Sequence, residues 1–299
     1  MPTWGKILEI ATKQNAYDIL RKQYVNKLTR YTGRNVIVYY SGWLQKNGKS
    51  GDFSISDEDK NAFMACMYKA KERNRGLDLI LQTPGGDVGA TESLIDYLHS
   101  MYGQDIRAIV PQIAMSGGTL LALSAKEIIM GAQSSLGPVD PQVNGIAAQA
   151  ILSEFDQACK EIKEDPSKSF VWQPIISKLQ PGYLTFFRRG SEWSKEILRN
   201  NLENNMFKED KKNFNEIYEK IETLFVDSEK SKAHNRHINR EKARSTGLKI
   251  VDLEKDQQLQ DLVLSLHHLL CITFQHTTAA KIVTSGANGG SSHITPVRS

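Results

Sequence analysis

The chain is predicted to be an α/β protein built on a mainly parallel sheet, and three observations point there. Runs rich in β-branched and aromatic residues alternate with helical stretches between residues 35 and 130. Two of these strand-turn-helix units stand in tandem, with glycines at both turns. After Gln142 the sequence becomes charged and helix-forming, which adds C-terminal helices to the α/β core.

Taken in order, residues 1–34 form a polar, helical lead-in. Residues 35–44 (Asn-Val-Ile-Val-Tyr-Tyr-Ser-Gly-Trp-Leu) have the composition of a first strand. A loop through Asn47 follows, and Ser56 with Asp57, Glu58 and Asp59 behind it opens a capped helix expected to reach about Arg73. Residues 77–82 read as the second strand and Thr83-Pro84-Gly85-Gly86 as a turn. Residues 89–101 form a helix whose Leu94, Ile95, Leu98 and Met101 share a face. Ile106, Ala108, Ile109 and Val110 make the third strand, and residues 119–125 the helix behind it. Helices are expected over 145–164, 181–205 and 208–226, with a long final one over 256–283. The core domain is thus placed at 35–284, its helical extension beginning near 145, and the Gly-, Ser- and Asn-rich tail 285–299 is expected to be disordered.

Between the third strand and its helix stands Ser116, followed by Gly117 and Gly118. A serine there faces the unpaired N–H groups of a helix start, which favour developing negative charge, and the glycines leave room for a substrate carbonyl. A Ser cap followed by glycines is also ordinary helix-start chemistry. In a right-handed parallel arrangement the Gly85–Gly86 turn leaves the sheet at the same edge, so its amides can approach Ser116. Two backbone donors beside a serine make an oxyanion hole.

Composition narrows the partners. With 40% hydrophobic and 24% charged residues, the 299-residue chain reads as a soluble protein. Its net charge of +4 is too balanced to imply nucleic-acid binding. Cys66, Cys159 and Cys271 are too few and too scattered for a disulfide framework or a zinc site, which suits a reducing, cytoplasmic setting. No stretch reaches the ~18 apolar residues needed to span a bilayer, and residues 1–13 lack the basic-then-apolar pattern of a secretory signal, so none is expected. His267 and His268 are adjacent on a helix, point apart and lack companions, so no metal is expected.

Read in order, Thr-Pro-Gly-Gly-Asp (83–87), Ala-Met-Ser-Gly-Gly-Thr (114–119) and Ser-Ser-Leu-Gly-Pro-Val-Asp-Pro-Gln (134–142) resemble the ClpP and SppA serine peptidases of the ClpP/crotonase fold. The later segments His-Asn-Arg-His-Ile (234–238), Ala-Arg-Ser-Thr-Gly-Leu-Lys-Ile (243–250) and Asp-Gln-Gln-Leu-Gln-Asp-Leu (256–262) resemble the serine dehydrogenase proteinase family, an SppA-like branch. The similarity runs over roughly residues 17–283. It implies a ClpP/crotonase-like fold of repeated β-β-α and βα units, hydrolysis of peptide or protein substrates, and assembly into rings or stacked rings; on the sequence itself the activity is expected to be independent of ATP. Many relatives carry a membrane segment, and none is expected here.

The resemblance leaves the general base open. Where a ClpP-like histidine would stand, this chain has Val139, Asp140 and Pro141. Signal-peptide peptidases use a Ser-Lys dyad instead, in which a poorly solvated lysine accepts the serine proton. Lys168 and Lys178 are the candidates, with Lys178 preferred for its apolar surroundings Trp172-Gln-Pro-Ile-Ile-Ser. His234 or His237, oriented by Asp140 or Asp227, is the third option. Gly86 and Gly117 are expected to hold the oxyanion. Gly85, Met115, Leu136 and Gly137 are expected to contact substrate, with residues 135–139 offering an edge to which a peptide could add as a strand. No Gly-x-Gly-x-x-Gly follows a strand, so no nicotinamide or other cofactor is expected. A crotonase-type acyl-CoA enzyme and a catalytically silent scaffold are the rival readings, and fold alone cannot separate them.

Overall fold

The computed structural model describes residues 4–13, 17–47, 50–70, 72–143, 146–226, 236–286 and 292–297. In chain order α1 (Trp4–Lys13) and α2 (Tyr17–Thr32) lead into β1 (Asn35–Ser41), α3 (Ser50–Phe53), α4 (Asp57–Lys69), β2 (Leu77–Gln82) and α5 (Val88–Tyr102). Next come β3 (Ile106–Val110), β4 (Ile113–Ala114), α6 (Gly117–Leu123), β5 (Glu127–Met130), β6 (Ser135–Leu136), β7 (Gln142–Val143) and β8 (Ile146–Ala147). The helices α7 (Ala148–Glu164), α8 (Ser169–Ile176), α9 (Tyr183–Asn201) and α10 (Phe214–Phe225) follow. The chain closes with β9 (Ile238–Asn239), α11 (Arg240–Ser245), β10 (Ile250–Asp252), α12 (Gln257–His276), β11 (Ala279–Gly286) and β12 (Ser292–Pro296).

The main sheet has the order β10-β5-β3-β2-β1-β11-β12. Its first five strands are mutually parallel and the last two antiparallel, so the expected mainly parallel α/β fold is what forms. Side chains alternate between its faces. Ile37, Tyr39, Leu79, Ala108 and Ile128 meet α4, α5, α6 and α10 on one side. Val36, Val38, Tyr40, Ile80 and Ile109 meet α2 and α12 on the other. Burial on both faces explains why the central strands read as continuous apolar runs. The exception inside β2 is Asp78, fully buried yet bonded to Arg34 Nε at 2.8 Å and Arg107 Nε at 2.7 Å, which ties the starts of three neighbouring strands together.

Several sequence expectations need correction here. The final helix stops at His276, and residues 279–286 form β11, paired antiparallel with β1 from Val36↔Gly286 to Ser41↔Lys281. The run Lys281-Ile-Val-Thr is β-branched, and pairing fills an edge of β1 that a helix could not. The tail is not wholly disordered, because residues 292–296 form β12 on the open side of β11. Its Ile294 and Thr295 were outweighed by the surrounding Gly and Ser. Residues 142–143 and 146–147 pair antiparallel as β7 and β8, and the helix begins at Ala148. The helices after it do not all cover the sheet. In α7 only Ala148 and Ala158 are buried and α8 has no buried residue, whereas α10 and α12 pack on the sheet. No helix among the described residues is long and apolar enough to cross a membrane.

The two adjacent histidines of α12 are packing residues. The His267 ring lies with Nδ1 3.3 Å from Tyr40 Oη and Nε2 3.8 Å from Cys271 Sγ. Burial first, and then neighbouring His268, lower its pKa from 6.5 to about 4. The unfolded chain therefore takes up a proton at a pH where the folded one does not. Stability at neutral pH should fall as pH drops from about 6.5 and level off below about 4, by on the order of 3 kcal/mol from this residue. Urea unfolding followed over that window checks it: His267→Asn should flatten the slope, and an unchanged slope would rule His267 out.

Candidate active site

The site is built where the carboxyl ends of parallel strands release their turns. Thr83 pairs with Ala114 across the top of the sheet, with Thr83 N–H donating to Ile113 O at 3.3 Å and Met115 N–H to Thr83 O at 3.0 Å. This pairing lays Pro84-Gly85-Gly86 directly against Met115-Ser116-Gly117. Glycine is required at 85: its φ is +92°, and a Cβ there would stand 2.6 Å from both Met115 O and Ser116 Cβ. A Cβ at Gly117 would stand 2.6 Å from Thr91 Oγ1 and only 3.4 Å from the Gly86 nitrogen, so the two amides are neighbours.

Ser116 itself is in a conformation that serine rarely adopts, with φ 48° and ψ −118°. Holding a non-glycine residue there costs about 1–3 kcal/mol, and the surroundings enforce it. Gly118 N–H donates to Met115 O at 2.7 Å and Leu120 N–H to Ser116 O at 3.1 Å. The Thr119 hydroxyl donates to Ala114 O at 2.8 Å while accepting Gly137 N–H at 3.0 Å. Although Ser116 occupies the cap position of α6, its side chain makes no capping bond. The ordinary helix-start reading of this serine therefore does not hold. Among the described residues, the N–H groups of Gly86 and Gly117 also find no acceptor within the chain.

These groups open on a cleft of about 1270 Å³. Val88, Leu120, Val139, Phe186, Phe187 and Trp193 give it apolar walls, and Asp87, Asp140 and Arg189 bring charge. Asp87 is occupied as the cap of α5, accepting Ala90 N–H at 2.8 Å. Asp140 is almost fully buried. Arg189 makes no ion pair or hydrogen bond among the described residues. The α9 wall was missed by sequence reasoning. Thr185, Phe186, Arg189 and Trp193 recur at helical spacing, and that aromatic face of 183–201 was the available signal.

The structure thus brings Ser116, Gly85, Gly86, Gly117 and Asp140 to one cleft. Other candidates sit elsewhere. Met115 and Leu136 are buried beneath the site and Gly137 packs against Met115, so none of the three lines the cleft. β6 has no free edge for a peptide to join, because β4 pairs with it on one side and β9 on the other. Lys178 is exposed beyond the end of α8 and outside the cleft lining, so its apolar sequence neighbours do not desolvate it. Lys168 pairs with Glu161 at 3.4 Å, both partly exposed. His237 is exposed, with Nδ1 3.0 Å from Ser135 Oγ. His234 and Asp227 lie outside the described residues.

Residues 53–178, which carry both glycine turns and Ser116, match the family model of the ClpP-like SDH-type serine proteinases. The family and the fold expected from the ordered motifs agree with that match. Two curated relatives from Methanocaldococcus jannaschii, the uncharacterized proteins MJ0137 and MJ1495, are each 38% identical over 111 residues. These are 37% of this chain and 38% and 37% of the two relatives. The chain thus spans less than two fifths of the length of the curated relatives it matches. A solved structure of a mutant of 1510-N, a membrane-bound stomatin-specific protease, is similar at 17% identity with a TM-score of 0.38, covering 70% of this chain and 79% of that one.

The backbone strain at Ser116 is directly testable. Ser116→Gly should be more stable than Ser116→Ala by about 1–2 kcal/mol, because only glycine relaxes at this φ. Equal denaturation midpoints for the two variants would show that the serine conformation carries no strain.

Proposed function

We propose that this chain is a serine peptidase that cleaves peptide bonds through an acyl-enzyme on Ser116. The observation that carries the reading is a strained, uncapped serine beside two amides with no acceptor among the described residues. Ser116 Oγ adds to the peptide carbonyl carbon, and the developing oxyanion accepts hydrogen bonds from the N–H groups of Gly86 and Gly117. The C–N bond then breaks, the amine leaves with the proton taken from Ser116, and water hydrolyses the ester. An acyl-CoA enzyme of this fold would use the two amides but would have no need of a strained serine.

A base must still carry the proton, and His234 is the residue we assign to it. Of the described residues before and after it in the chain, Phe225 O accepts Val139 N–H at 2.8 Å and Ile238 pairs with Leu136. Val139 and Leu136 both lie on the stretch that ends in buried Asp140, the group suited to orient an imidazole. Self-association belongs to the same reading, supported by α8, which leaves Phe170 81% and Val171 65% exposed.

Fluorophosphonate labelling of size-fractionated protein tests these points together. Label is expected on Ser116 in a species larger than the 33.6 kDa chain. His234→Ala should slow labelling on the order of 100-fold and Lys178→Ala should leave it unchanged. Loss with Lys178→Ala would move the base to the lysine. An unlabelled, folded wild type would end the peptidase reading, and a labelled monomer the self-association.

Arg189 points to the substrate. A cation with no partner among the described residues, standing beside Phe186, Phe187 and Trp193, favours peptides that pair an acidic residue with large apolar neighbours. Profiling against a peptide library should show that preference and its reversal toward basic residues in Arg189→Glu; an identical profile for the two proteins would remove Arg189 from substrate selection.

A further inference from the structure

Behind the cleft lies a buried charged cluster that the proposed chemistry does not use. Lys281 on β11 and Asp59 in the first turn of α4 both have side chains only 4% exposed, and Lys281 Nζ stands 2.7 Å from Asp59 Oδ1. The ammonium has three hydrogens and finds three acceptors: Asp59, the carbonyl of Ser54 at 3.0 Å and the hydroxyl of Ser56 at 3.4 Å. The other carboxylate oxygen of Asp59 accepts Tyr39 Oη–H and Ser56 N–H, both at 2.9 Å. Burial, together with Asp59, holds the Tyr39 phenol well above its usual pKa, so it remains a donor.

The cluster therefore grips Ser54 and Ser56, the two residues flanking Ile55. Ile55 in turn grips the glycine turn. Its N–H donates to Gly85 O at 2.8 Å and its carbonyl accepts Asp87 N–H at 3.0 Å, so its backbone brackets Gly86 from both sides. The contact is close enough that a Cβ on Gly86 would overlap the Ile55 backbone. The direction of the Gly86 N–H is thus fixed through Ile55, and Ile55 through its charged neighbours.

We infer that Lys281, with Asp59, is a positioning residue for the reaction, holding the 54–56 segment so that the Gly86 amide is aimed at the oxyanion. This rests on the peptidase reading above. A buried ion pair is a poor device for stability alone, since well-packed apolar residues commonly replace one without loss. It is a good device for fixing backbone carbonyls and amides in direction, and a small misplacement of an oxyanion donor is expensive in rate.

The test removes both charges at once, as Lys281→Met with Asp59→Leu, and measures unfolding, steady-state kinetics on a peptide that the wild type cleaves, and the rate of fluorophosphonate labelling. The expected result is a folded protein of near wild-type stability whose kcat and labelling rate fall on the order of 100-fold while KM stays within about twofold. Should that pair fail to fold, Lys281→Gln with Asp59→Asn keeps polar contacts without charge, and the same split is expected. Wild-type kcat in either folded double variant overturns the inference while leaving the peptidase reading intact. A wild type that neither cleaves nor labels defeats the reading itself, whatever the variants do.

Discussion

The candidate site depends on the backbone pairing of Thr83 with Ala114, because it makes two separate strand-turn-helix units share one edge. Parallel β2 and β3 already bring their carboxyl ends level, but strands in register do not by themselves put two turns in contact. The Thr83 bridge continues the ladder beyond the sheet, and the absence of a Cβ at Gly85 lets the two loops close to contact distance. Any side chain there would strike the Met115 carbonyl. The glycines and the extended ladder are one device, each without purpose if the other is missing.

That close approach is costly, and the packing below it absorbs the cost. All seven residues of α6 are buried, and the Thr119 hydroxyl ties the helix to Ala114 and Gly137. A short helix so enclosed cannot rotate to relax the Ser116 backbone. The strain therefore sits on a rigid platform, with the serine side chain released from capping and the helix amide at Gly117 left open. Stability in the surrounding core is exchanged for a hydroxyl held where a conventional helix start would not put it.

The two sides of the cleft are built differently. One wall comes from the sheet edge and is fixed by backbone ladders, including the Ile55 bracket around Gly86. The other comes from α9, a single amphipathic helix laid across the opening and joined to α5 by the Trp193 indole, which donates to Glu92 at 3.0 Å. Ser116 and the two amides sit on the first and the apolar and cationic surface on the second. Changes in α9 can therefore alter that surface without moving Ser116 relative to the amides.

The sequence by itself determined the alternation of strands and helices from residue 35 to 130, the parallel core and the two glycine turns, because period, β-branching and turn chemistry are local properties. It also singled out Ser116, Gly86 and Gly117 as a group, since their residue types are legible at short range. Only the tertiary structure decided that 279–286 and 292–296 are strands, because their short β-branched runs adopt that conformation where backbone groups on β1 and β11 are left to be paired. The solvation of Lys178 was likewise beyond the sequence: apolar neighbours along a chain desolvate a lysine only if other elements pack over it, and α8 is left uncovered. The meeting of α9 with the glycine turns and the Lys281–Asp59 cluster bring together residues from distant parts of the chain. No local pattern records such encounters, and chain folding alone creates them.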